Sequence, residues 1–361
     1  MKIVFTLLNY FSCFLILTAQ TYTLVTGLDA ALEETSGLLY LNNTVITHND
    51  SGNSNQLFDI NTTDGSITRT VTISNATNVD WEDLAYDDTY IYIADIGNNT
   101  GSRTDLKIYR VLRSDYVNNT SVIAEIINYS YSNQVDFTPS AFATNFDAEA
   151  LIHFNNKLYI FTKNWIDAKT NVYELSKSPG THSATLVDSI DSQGLITGSS
   201  YNSINGDVML CGYDGLGSFL LQLSDFNSGI FSNGTLLKTA IAIPTNYSQQ
   251  TEGITFYRTD EYYISAEKAS SDLNGLYSFN IATLSDTEFN DSQISFYPNP
   301  AETELIINKK NCTTEIYTLT GKLIKTTSKS KIDITELSKG VYLIKIKDSN
   351  NGYLTKQLLI D

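Results

Sequence analysis

Cysteine and histidine are almost absent from this chain of 361 residues, at three each. Cys13 lies in an apolar N-terminal run, while Cys211 and Cys312 fall in segments that read as different domains, so no disulfide framework is available. Cys211 follows Val208-Met209-Leu210 and reads as a small buried hydrophobe. His48, His153 and His182 make neither HExxH nor an HxxxH pair, and the chain has no G-x-S-x-G elbow and no P-loop. Those gaps exclude the zinc-peptidase, α/β-hydrolase and P-loop templates. Basic residues are few as well, 23 Lys+Arg against 40 Asp+Glu, for a formal charge of −17. Without a basic footprint, nucleic acid and anionic lipid are excluded as partners. Charged residues make up only 17%, whereas Tyr (23) and Phe (16) are plentiful. This is a strand-and-turn composition, which excludes coiled coil and disorder.

At the N-terminus Lys2, the apolar run Ile3 to Leu17, and then Thr18, Ala19 and Gln20 follow the order of a secretory signal peptide. Residues 1–20 are expected to be removed, leaving a mature chain from about Thr21. No later apolar run approaches the roughly 20 residues of a spanning helix, so no transmembrane segment is expected in it. Near the other end, residues 290–361 hold ten Lys against eight acidic residues, whereas 21–289 hold 12 basic against 32 acidic. The shift follows the polar stretch Ser285 to Gln293 and marks a boundary. The expected layout is a first domain over 21–285, a linker over 286–293 and a second domain over 294–361.

That last segment carries Phe296-Tyr297-Pro298-Asn299-Pro300, Glu315-Ile316-Tyr317-Thr318-Leu319-Thr320-Gly321-Lys322, Ile332-Asp333-Ile334, Leu337 to Ile344, and Lys356 to Asp361. Alternating short strands with Gly turns predict a small β-sandwich. The ordered set resembles the C-terminal sorting domain of the type IX secretion system of Bacteroidetes. The resemblance implies that residues 294–361 engage the type IX machinery and that the protein crosses the outer membrane to the cell surface or the medium.

Residues 21–285 contain an internal repeat. Five segments align: Glu34 to Tyr40, Asp80 to Tyr86, Asp147 to His153, Leu195 to Tyr201 and Gln250 to Phe256. Each is followed by a second and a third apolar strand, and the first four by an outer strand. Four-stranded units recurring about every 50 residues predict an all-β fold, a β-propeller. The fifth unit lacks its outer strand and Tyr22 to Val25 lacks a unit, so the two are expected to pair and close a ring of five blades. A sixth, degenerate blade between Tyr129 and Asn145 is the alternative.

The first strand of a blade lines the channel, so equivalent positions form a ring: Ser36, Glu82, Glu149, Thr197 (with Ser199 the alternative) and Glu252. Carboxylates crowded around a narrow channel repel one another unless they protonate or share a cation. Ca²⁺ is the expected cation, because the donors are hard oxygens and no thiol or histidine pair is available for zinc. Asp80 and Asp147, two residues upstream, could add negative charge or simply cap turns. The ring resembles that of the calcium-activated nucleotidases (apyrases), in which Ser, Glu, Glu, Ser and Glu hold a central calcium. Esterase-like phytase propellers are similar.

Second-strand ends should rim one mouth, bringing His48, Asn49, Asp50, Asp95, Lys163, Asp214, Glu267 and Lys268 there. The resemblance implies metal-water activation and phosphate clamping at such a rim and puts Asp50, Lys163 and Lys268 at corresponding places; with Asp95, which opens a turn at the same mouth, these are the candidate catalytic residues. The turn after Asp95, with Arg103 beyond it, could add oxygen ligands and a cation. The first-blade motif, Asn49-Asp50-Ser51-Gly52, has no Arg after the Asp, and that departure favours binding over turnover. Two functions are therefore carried forward. One is a calcium-dependent hydrolase of phosphate esters or other anionic esters; the other is a non-enzymatic propeller binding surface protein or glycan, and in either an anionic small molecule is a candidate ligand.

Overall fold

Short, largely apolar runs between turn signals fold as strands, and each blade is an antiparallel sheet of four strands. The computed structural model describes residues 20–242, 250–268, 273–281, 295–310, 312–318, 322–348 and 353–360. The expected signal peptide, apart from Gln20, and the expected linker 286–293 lie outside the described residues. The chain forms two compact units, Met1–Ile281 and Ala282–Asp361.

In the first unit, blade 1 is Thr35–Leu41, Thr44–Asn49, Gln56–Ile60 and Ile67–Ile73; blade 2 is Trp81–Tyr86, Tyr90–Asp95, Lys107–Leu112 and Glu125–Tyr131. Blade 3 is Ala148–Phe154, Lys157–Thr162, Thr170–Leu175 and Gly180–Ile190, and blade 4 is Leu195–Tyr201, Val208–Asp214, Gly217–Ser224 and Thr235–Ala242. Blade 5 takes Thr251–Arg258, Glu261–Ala266 and Gly275–Asn280 from its own repeat, and its outer strand is the N-terminal Thr23–Gly27. There Thr23 lies opposite Ser278 and Leu24 opposite Tyr277, which is the closure expected from the orphan strand. The innermost strands touch in a closed cycle, blade 1 to 2 to 3 to 4 to 5 and back. The long connection 132–147, where a sixth blade was the alternative, contains no strand.

Apolar side chains fill the five gaps between neighbouring blades, for example Leu39 and Ile46 of blade 1 against Trp81 and Ile93 of blade 2. The last gap joins Leu276 of blade 5 to Leu38 and Val45 of blade 1. Four outer edges are covered by pairing: Ser121–Val122 lies parallel to Ile67–Ile73 of blade 1, Gln20–Thr21 parallel to Thr235–Ala242 of blade 4, and Glu125–Tyr131 parallel to Gly180–Ile190, fusing blades 2 and 3 into one eight-stranded sheet. Blade 2 also departs from the expected meander, because a short helix, Arg113–Asn118, precedes its outer strand. Tyr116 anchors that helix by hydrogen-bonding Asp59 of blade 1.

One irregularity recurs in every blade. The pairing of first and second strands skips a step between Thr35 and Leu38, Trp81 and Asp83, Ala148 and Ala150, Ile196 and Gly198, and Thr251 and Ile254. A bulge releases a residue from the pleat and re-aims it. The released positions include Ser36, Glu82, Glu149, Thr197 and Glu252, so the repeat builds its ring from five bulges.

The second unit has two antiparallel sheets. Phe296–Tyr297, Glu304–Ile307 and Lys331–Asp333 form one, and Leu323–Thr327, Cys312–Thr318, Gly340–Asp348 and Tyr353–Ile360 the other. Its core includes Leu305, Ile316, Ile344 and Leu358. Cys211 and Cys312 are both buried, and no disulfide joins them.

Candidate metal centre at the channel mouth

At the starts of the innermost strands lies a cavity of about 210 Å³. Glu82, Glu149, Glu252, Asp50, Glu267 and Lys163 supply its charged walls. Around them stand Ser36, Asn99, Phe142, Trp165, Tyr213 and Gln250.

The ring residues do two different jobs. The Ser36 hydroxyl donates to the Glu82 carbonyl at 2.6 Å, and the Thr197 hydroxyl to the Thr251 carbonyl at 2.5 Å. These bonds stitch blade 1 to blade 2 and blade 4 to blade 5. Thr197 is fully buried and does not reach the cavity wall. The three glutamates do face the cavity. Lys163 Nζ lies 2.6 and 2.7 Å from the two oxygens of Glu149, and both side chains are almost completely buried. The ammonium also sits about 5 Å from the rings of Trp165 and Tyr213. Burial works against this ammonium, but Glu149 and Glu252 hold its pKa well above the lysine range. Lys163 is thus an internal cation on the blade 3 side of the ring.

No such partner serves the blade 2 side. The Glu82 carboxylate accepts no hydrogen bond from a described residue, and burial, with the charges of Asp50 and Glu149, pushes its pKa well above the carboxylate range. Burial likewise raises Asp80 and Glu252 to about 7 and Glu267 to about 8, each opposed by a neighbouring cation. Oxygens of Asp50, Asp80 and Glu82 all lie within 4.8 Å of one another. Carboxylates so placed either keep protons or hold a hard cation. The donors fit calcium rather than zinc, because His48 is turned away. Its Nδ1 lies 2.9 Å from the Asn49 carbonyl, and its ring packs edge-on against Trp81.

Of the four candidate catalytic residues, Asp50 and Lys163 share the cavity and the other two stand apart. Asp95 is buried beneath the wall, accepting from Arg103 Nη2 at 2.8 Å and from the Asp80 N–H. Lys268 pairs with Glu33 at 2.5 Å. Arg103 is committed to Asp95, Asp105 and the Gly97 carbonyl. Asp147 accepts from the Trp165 indole N–H at 2.7 Å and the Asn98 N–H at 2.6 Å, so it braces the wall, whereas Asp80 joins the acidic cluster. Asp214 pairs with Lys238 away from the cavity.

Sequence reasoning passed over Asp83. Its carboxylate lies inside the channel, accepting from the Leu151 N–H and the Ser199 N–H and hydroxyl on two other blades, as well as from Leu84 N–H. Burial raises it to about 8 against those four donors. The signal was in the alignment: the column reads Gly37, Asp83, Ala150, Gly198, Gly253, and one carboxylate among small residues marks a plug.

Residues 295–361 match the family described as the secretion system C-terminal sorting domain. The second unit is a sorting domain. The protein is accordingly secreted or displayed at the cell surface, and its sorting domain engages the type IX secretion system. Among the described residues no helix is long and apolar enough to cross a membrane. No curated protein matches the chain. Solved structures similar to it include a PQQ-bound aldose sugar dehydrogenase from Streptomyces coelicolor, at 10% identity and TM-score 0.40 over 72% of this chain and 97% of that one. A luciferin-regenerating enzyme follows at 12% identity and TM-score 0.38, over 69% and 77%. An exported protein from Bacteroides fragilis gives 10% identity and TM-score 0.37, over 72% and 94%.

Proposed function

We propose that this exported propeller binds a hard divalent cation, calcium by its donor set, at the acidic mouth, and through it an oxygen-rich ligand, an anionic small molecule or a glycan. The observation that carries this reading is the charge balance of the cavity. Asp50, Glu82, Glu149, Glu252 and Glu267 face a single ammonium, Lys163, which Glu149 already holds. A calcium ion would offset the remaining charge and, with 6–8 oxygen ligands to fill, would leave positions for ligand oxygens.

Binding stands ahead of ester hydrolysis because the cations expected to clamp an anion are spent elsewhere, Lys268 on Glu33 and Arg103 on Asp95. The hydrolytic reading, implied by the likeness to nucleotidase and phytase propellers, draws support from Asp50 and Lys163 sharing the cavity. A cation-bound water there would have a carboxylate base beside it. Thermal melting of the mature chain in calcium and in chelator tests the common core of both. Stabilisation should follow mass action, about 2.7 kcal/mol when free calcium is about 100 times the dissociation constant. Identical melting up to millimolar calcium would remove the reading, and a screen of nucleotides, phytate, aryl esters and glycans in calcium separates turnover from binding.

A further inference from the structure

We infer that the cation sits off the propeller axis, at the junction of blades 1 and 2, held by Asp50, Asp80 and Glu82. This seat rests on the cation-binding reading above and sharpens it. One carboxylate oxygen from each of the three residues lies within 4.8 Å of the other two. Donors around one calcium, at about 2.3–2.6 Å from it, can be separated by up to about twice that distance, so all three fit a single coordination sphere.

Two further observations point to a ligand at this place. Glu82 is 4% exposed and lines the cavity, and its carboxylate takes no hydrogen bond from a described residue, although a buried carboxylate normally has several. Each of the other buried carboxylates around it has a side-chain partner: Glu149 has Lys163, Glu252 has Gln250, Asp147 has Trp165, and Asp95 has Arg103 on Oδ1, its Oδ2 alone being without one. The second observation is Gly97. A Cβ there would come 2.1 Å from Glu82 Oε1 and 2.4 Å from Asp80 Oδ2, so the loop after the second strand of blade 2 is pressed against this pair, and only glycine leaves both carboxylates in place. Lys163 fills the blade 3 side of the ring and makes a second, axial cation redundant.

Calorimetric titration of calcium into the chelator-treated mature chain tests the seat. Asp80→Asn and Gly97→Ala should each weaken calcium binding on the order of tenfold or more, and Glu252→Gln, which removes a charge from the other side of the cavity, by a clearly smaller factor. Melting in chelator supplies the control for folding: Asp80→Asn should melt at or above wild type, because it relieves repulsion and breaks no side-chain bond. Glu252→Gln weakening calcium more than Asp80→Asn would overturn the off-axis seat and leave the cation reading standing. Asp80→Asn melting lower in chelator with unchanged calcium affinity would also overturn it, as the mark of a purely structural carboxylate. No calcium binding by wild type would remove seat and reading together.

Discussion

The two ends of the propeller channel treat their carboxylates in opposite ways. Where the innermost strands finish, a cavity of about 190 Å³ includes Asp87, His153, Tyr86 and Tyr201 in its walls. Asp87 there is fully satisfied: one oxygen accepts from the Thr89 and Tyr90 N–H groups and the other from the Tyr92 hydroxyl and Lys177 Nζ, at 2.7–2.8 Å. Despite partial burial, the Lys177 ammonium and the Tyr92 hydroxyl hold it well below the carboxylate range. Where the same strands begin, Glu82 has no such partner among the described residues, and its pKa moves the other way. A fold that can pair a carboxylate completely at one end has no structural need to strand another at the opposite end. The difference separates acid that serves the scaffold from acid that, on the reading proposed above, holds a cation.

Between the two ends sits Asp83, and removing it should have the largest effect of any change described. Asp83→Ala would leave the Leu84, Leu151 and Ser199 N–H groups without their acceptor in the channel. Buried donors left unmade cost about 1–3 kcal/mol each, so a loss of about 3 kcal/mol or more is expected in urea unfolding. Near-wild-type stability would mean that water replaces the carboxylate and that the channel is open from end to end.

A smaller effect follows from protonation at the acidic mouth. Asp80, Glu252 and Glu267 titrate in the folded protein at about 7, 7 and 8, above ordinary carboxylates. Between pH 5 and 8 the native state therefore holds protons that the unfolded chain has released, and stability falls as pH rises through this window. In chelator the melting temperature should decline from pH 5 to 8, and calcium should flatten the decline by taking the place of the protons. A decline equally steep in calcium would mean that no cation replaces them.

Much of this was legible in the sequence because repetition is informative. Five aligned segments located the blades, and the orphan strand at Tyr22 to Val25 located the closure. Ring positions were readable because each falls on the same bulge. Partner choice was not, since nothing in the local sequence tells Lys163, which turns inward to Glu149, from Lys268, which turns outward to Glu33. Both follow the second strand of their blade, and only the neighbouring loops decide. Trp165 and Tyr213 flank the first with aromatic faces, whereas Glu33 offers the second an exposed partner. Asp80 and Asp147 occupy one alignment column and diverge for the same reason: Trp165 and Asn98 donate to Asp147, and the counterpart facing Asp80 is the bare backbone of Gly97.

The smallest expected effect lies at the far mouth. Asp87→Asn keeps the shape and one acceptor oxygen, which can still receive the Thr89 and Tyr90 N–H groups, but it turns an amide toward Lys177 and removes the charge that the ammonium faces. Because the lost pair is partly solvated at Lys177, the cost should be about 1 kcal/mol, greatest at neutral pH. It should fade as pH falls through the native Asp87 titration, where the wild-type carboxylate loses its own charge. Calcium affinity should not change, since Asp83 and its four donors stand between the two ends and no carboxylate is shared. An Asp87→Asn protein that bound calcium differently would show that the channel transmits charge from one mouth to the other, and the two ends would then have to be treated as a single electrostatic site.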